Sequence, residues 1–85
     1  MNAKRMNKKS TLLDRIEINP KVLAGKPVIK RTRIPVYLIL ELLSAGYDFR
    51  KIVRSYPSLT ELDIRAAIEY AAVMMKNEEL VELGT

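Results

Sequence analysis

No stretch of this sequence restricts the fold as strongly as Pro35 to Gly46. Read as a helix, it puts Val36, Ile39, Leu40 and Leu43 on one flank and Leu38, Leu42 and Ala45 on another, so that only Tyr37, Glu41 and Ser44 form a polar stripe. A helix oily on two flanks must be covered from two sides. Pro35 suits the first helical turn, where its missing N–H would be unpaired anyway, and Gly46 suits the left-handed residue just past the end.

Eighty-five residues allow one domain, and a core of that size leaves only ~3 to 5 kcal/mol of net stability unless something reinforces it. The chain has no cysteine for a disulfide and no histidine, which leaves only carboxylates for a metal, so no metal site is expected. Oligomerisation is the remaining device, and the two-flanked helix supplies apolar surface for it. A homodimer is therefore expected. No run approaches the ~20 apolar residues of a membrane span, and the basic N-terminus lacks the apolar run of a signal peptide. The expected location is the cytoplasm, with no membrane partner.

Charge is divided unevenly along the chain. Ten of the fifteen cations fall in residues 1–33 against Asp14 and Glu17, a net +8, whereas residues 34–85 carry five cations against eight acids, a net −3. The front half seeks an anion, and nucleic acid is the commonest large one in a cytoplasm.

Residues 1–11 are polar and aperiodic and read as a disordered basic arm. Ile16-Glu17-Ile18 alternates and ends at Asn19-Pro20; Val28-Ile29 is a second short β-branched pair. A two-stranded antiparallel ribbon of 16–18 with 28–30 would be marginal alone, so it must lie on the helices or pair with its copy in a second subunit; the second arrangement is favoured. Asp48 is an N-cap for a short helix over 49–55, with Phe49, Ile52, Val53 and Tyr56 inward and Arg50, Lys51, Arg54 and Ser55 outward, until Pro57 forbids continuation. Thr60-Glu61-Leu62-Asp63 has the spacing of a capping box, in a weaker version because Asp replaces Glu or Gln. The helix that follows is predicted over 61–76, with Ile64, Ala67, Ile68, Ala71 and Met75 as its apolar stripe. It either ends near Asn77-Glu78-Glu79 or continues through Leu80, Val81 and Leu83. The predicted fold is mainly α: a three-helix, helix-turn-helix-like domain over 12–76, preceded by the short ribbon and followed by an acidic-apolar tail over 77–85.

The string Gly25-Lys26-Pro27-Val28-Ile29-Lys30-Arg31-Thr32-Arg33-Ile34-Pro35-Val36, with Ile18-Asn19-Pro20 before it and Ala45-Gly46-Tyr47-Asp48 and Tyr56-Pro57-Ser58-Leu59-Thr60 after it, resembles the family numbered 433 among the domains of unknown function. The resemblance covers roughly residues 16–72. It implies a small helix-turn-helix-like domain acting as a VapB-like antitoxin or regulator, partnered by a toxin resembling the PIN-type ribonucleases. The family usually has glycine where this chain has Arg31, so either the turn tolerates an ordinary residue or its backbone differs here.

Neither the resemblance nor the residues supply a catalytic mechanism. Triads that need Cys or His are excluded, Glu61 with Asp63 and Glu78 with Glu79 point to different helical faces, and Gly25-Lys26 lacks the upstream glycine and the Ser or Thr of a P-loop. The expectation is a binding protein, with no cofactor. For DNA, the last helix is a poor reading head, since Glu61 and Glu69 would face phosphates and only Arg65 could grip a guanine. The basic loop Lys30-Arg31-Thr32-Arg33 and the ridge Arg50, Lys51, Arg54 are the better candidates, although a solvated turn and ordinary helix surface are the bland alternatives. Met74, Met75, Leu80, Val81 and Leu83 are candidates for receiving the toxin, the alternative being closure of the core or the dimer. Tyr37, Tyr47, Tyr56 and Tyr70 are spread over the helices and read as half-buried packing. The rival reading is a dimeric protein-interaction adaptor that never touches nucleic acid.

Overall fold

The computed structural model describes residues 12–77. Strand β1 (Ile16–Glu17) pairs antiparallel with β2 (Val28–Ile29), Ile16 opposite Ile29 and Glu17 opposite Val28. Three helices follow, α1 (Val36–Ser44), α2 (Phe49–Ser55) and α3 (Glu61–Asn77). The chain is thus mainly helical, with a two-stranded sheet ahead of the helices. The basic arm and Leu80, Val81 and Leu83 lie outside the described residues.

Each helix boundary has a local cause. Pro35 is the N-cap of α1, with an extended ψ of 152°, and so stands one residue earlier than the first-turn position predicted for it. It has no side-chain acceptor with which to cap the helix, and the free Val36 N–H donates instead to the Pro27 carbonyl at 2.9 Å. At the other end Gly46 takes φ +101°, the Gly46 N–H donates to Leu43 and the Tyr47 N–H to Leu42, the two bonds of a Schellman stop. Nothing crowds a Cβ at Gly46, so the demand for glycine is purely conformational. Asp48 caps α2 by accepting the Lys51 N–H at 2.8 Å. The box at α3 is complete in both directions: the Asp63 N–H donates to Thr60 Oγ1 at 3.2 Å and the Thr60 N–H donates to Asp63 Oδ2 at 2.9 Å.

The core joins all these elements. Ile29 of β2, Val36 and Ile39 of α1, Ile52 of α2, Leu59 of the α2–α3 turn, and Ile64 and Ala67 of α3 form one buried cluster, with Ile16, Leu40, Leu42 and Tyr70 packed around it. The ribbon therefore lies on the helices of its own chain, which corrects the favoured expectation that it depends on a second subunit. Two residues per strand could not hold each other in water, and burial of Val28 and Ile29 supplies what the ladder lacks.

A second correction concerns α3. Its buried face is Asp63, Ile64, Ala66 and Ala67, whereas Ile68 is 39% and Met75 is 64% exposed. The predicted stripe is rotated because a carboxylate, which no apolar pattern would place inside, occupies an inward position. Both of its oxygens are matched: Oδ2 accepts from Thr60 and Oδ1 accepts from Arg15 at 3.0 Å. Tyr37 is also 50% exposed and departs from the half-buried packing that Tyr47, Tyr56 and Tyr70 adopt.

Candidate functional site

The basic loop is a hydrogen-bonded turn. The Thr32 N–H and Oγ1–H both donate to the Ile29 carbonyl, at 3.0 and 2.6 Å, the Ile34 N–H donates to Thr32 Oγ1 at 3.0 Å, and the Lys30 N–H donates to the Arg15 carbonyl at 2.8 Å. Thr32 thus spends its hydroxyl on holding the turn, while Lys30, Arg31 and Arg33 are exposed. Arg31 sits at φ +65°. The turn keeps the left-handed backbone a glycine adopts freely, and arginine bears it at a cost. Arg31→Gly is accordingly expected to stabilise the fold by about 0.5 to 1 kcal/mol and Arg31→Ala is not, as read from urea midpoints at constant slope.

Two clefts flank the start of α3. One, of about 470 Å³, is bordered by Asp14, Arg15, Lys30, Arg31, Thr32, Ser58, Thr60 and Asp63. The second, of about 780 Å³, is bordered by Phe49, Arg50, Val53 and Arg54 and again by Thr60, with Glu61. Thr60 is the shared wall. The loop cations and the ridge cations Arg50 and Arg54 are thereby brought to the two sides of one helix N-terminus, where the macrodipole adds positive potential. Three predicted residues stand apart. Arg33 borders neither cleft; Lys51 lies over the Tyr47 ring, 4.3 Å from its centroid; Arg65 lies 5.8 Å from the centroid of Phe49.

Met74 and Met75 line a different feature, an apolar groove of about 400 Å³ between α1 and α3 with Pro27, Val36, Tyr37, Leu40, Tyr70 and Ala71, and Lys26 as its one charged residue. The residues that sequence reasoning missed are Arg15 and Ser58 beside the first cleft, and the inward role of Asp63. The capping-box spacing signals Asp63 in part; nothing in the sequence ties Arg15 to a partner 48 positions away. Among the described residues no three side chains capable of metal ligation converge, and no helix is long and apolar enough to cross a membrane.

Comparison with known proteins adds three findings. The family described as "Protein of unknown function (DUF433)" matches residues 16–71. An uncharacterized protein of Sinorhizobium fredii, y4eO, is 38% identical over 53 residues, which cover 62% of this chain and 24% of that protein. The chain thus spans about a quarter of the length of that curated relative. A crystal structure of a DUF433 member from Anabaena variabilis resembles this fold with a TM-score of 0.67 at 29% identity, over 96% of this chain and 78% of that one.

Proposed function

The chain belongs to the DUF433 family of proteins of unknown function, and on that premise we propose that it is a DNA-binding regulator of antitoxin type that catalyses no reaction. In this reading it works in the cytoplasm as a homodimer. DNA lies across the two clefts that share Thr60, gripped by Lys30 and Arg31 on one side and Arg50 and Arg54 on the other. That convergence of two cation sets on one helix-turn-helix-like N-terminus is the observation that carries the reading. Arg33 and the Lys4, Arg5, Lys8, Lys9 arm add sequence-blind attraction, and Lys51 and Arg65 lie at the margin. Met74 and Met75, with Leu80, Val81 and Leu83, receive a toxin resembling a PIN-type ribonuclease.

Phosphate contacts make binding steeply salt-dependent. Arg31→Ala with Arg33→Ala is expected to reduce the slope of log affinity against log salt by about two, one per lost contact, in a mobility-shift titration. An unchanged slope removes the loop from the interface.

The adaptor reading keeps two observations in its favour, the exposed Asp14 beside the first cleft and the exposed Glu61 beside the second. It is distinguished by the same titration, since an adaptor gives no retardation even at low salt.

A further inference from the structure

The second cleft holds more than a phosphate contact needs. Helix α2 lays two rows along it, each pair four residues apart and so on one helical face: the apolar pair Phe49 and Val53 and, one position on, the cationic pair Arg50 and Arg54. The start of α3 adds Glu61. The volume, about 780 Å³, falls within the ~300 to 1,000 Å³ of sites that take small molecules. We propose that the cleft seats one unpaired nucleotide of a DNA strand, with its base stacked on Phe49 beside Val53, its phosphates on Arg50 and Arg54, and the amino edge of the base on the Glu61 carboxylate.

A duplex keeps the faces of its bases inside the stack and offers a protein only phosphates and base edges, for which the two guanidinium groups suffice. It leaves the Phe49–Val53 row without a partner. An unstacked base supplies the missing flat apolar face. Phe49 is a fixed platform for it, half-buried and packed against the core cluster. Arg65, 5.8 Å from the Phe49 centroid, borders a separate cleft and not this one, so it leaves the space free. Glu61 then has a task. An exposed carboxylate repels phosphates and equally repels an acidic peptide, the other occupant that two arginines beside an apolar row would suit. Toward a base it is an acceptor: it takes a hydrogen bond from the exocyclic amino group of cytosine, where thymine presents a carbonyl oxygen. The cleft thereby favours an amino-bearing base over thymine.

The inference deepens the DNA reading above and rests on it for the source of the strand. The test titrates the full chain with a short oligo-dC strand, a short oligo-dT strand and a mixed-sequence duplex, following the ring signals of Phe49, the one phenylalanine of the sequence. Oligo-dC is expected to shift those signals upfield, to give nuclear Overhauser contacts from the ring to the base protons, and to bind about tenfold tighter than oligo-dT. Glu61→Gln is expected to bring the two strands within about twofold of each other, and Phe49→Leu to weaken oligo-dC about 5- to 100-fold. Because Phe49 also packs on the core, the exposed Arg50→Ala with Arg54→Ala gives a second measure: the salt slope for oligo-dC is expected to fall by about two.

Binding of the duplex with no shift of Phe49 by either strand overturns the pocket and leaves the DNA reading intact. Binding of neither strand nor duplex overturns both. Shifts of Phe49 produced by a helical peptide of leucine and glutamate, and by no oligonucleotide, overturn the pocket in favour of a protein occupant.

Discussion

Replacing Ile39 by alanine is expected to remove about 3 to 4 kcal/mol of stability, on the scale of the whole net stability of a chain this short. Ile39 is fully buried at the centre of α1, in the cluster to which β2, α2, the α2–α3 turn and α3 all contribute. Truncation withdraws the transfer energy of the lost carbons. It also leaves a cavity that five elements would have to move to fill, and close-packed elements relax only in part. In chemical denaturation at 25 °C the variant should be largely unfolded without denaturant, whereas Ile39→Val should retain a cooperative transition within about 1.5 kcal/mol of the unaltered chain. A mild effect of the alanine variant would mean that α1 is not the central rod of the core.

Asp63→Ala is the second large expectation, a loss of about 2 to 3 kcal/mol from a position an apolar pattern would regard as harmless to truncate. The Asp63 side chain is 9% exposed, and its carboxylate serves the Thr60 N–H and the Arg15 guanidinium together. Most of the loss belongs to the cap, about 1 to 2 kcal/mol. The ion pair adds no more than about 1 kcal/mol because the Arg15 side chain remains 36% exposed. Arg15→Ala should therefore cost visibly less than Asp63→Ala. A double variant, compared with the sum of the two single ones in urea titrations, measures the pair itself. Equal losses for the two single variants would shift the weight from the cap to the ion pair.

What the sequence made legible is what short-range chemistry decides. The extent of α2 follows from Asp48 and Pro57, the end of α1 from Gly46, and the start of α3 from the Thr60 box, because each signal acts within a turn of the residue that carries it. The ribbon was legible from β-branched pairs between turn residues, but its support was not. Whether Val28 and Ile29 rest on their own helices or on another subunit depends on contacts that no local pattern encodes. The inward turn of Asp63 was hidden for the same reason, since Arg15 is distant in sequence. Periodicity then assigned Ile68 and Met75 to the interior in its place. The segment Leu23–Gly25 gave no warning at all: Leu23, Ala24 and Gly25 have φ of +49°, +56° and +85°, a left-handed turn that only Gly25 advertises. For the candidate site, the cations themselves were legible and their grouping was not. Lys30 and Arg31 border one cleft and Arg50 and Arg54 the other, with Thr60 common to both, while Lys51 and Arg65 lie over the Tyr47 and Phe49 rings.

The seating of the two short strands on a helical floor carries a consequence for the order of assembly. Local contacts within and between α1, α2 and α3 can form early, at small loop-closure cost, whereas Ile16 and Ile29 gain their partners only once that floor exists. The ribbon, with Arg15 and the cationic turn together at one end, is the roof laid on after the walls. It is expected to be the last part fastened during folding and the first to lift, its amide protons exchanging ahead of those of α1 and α3.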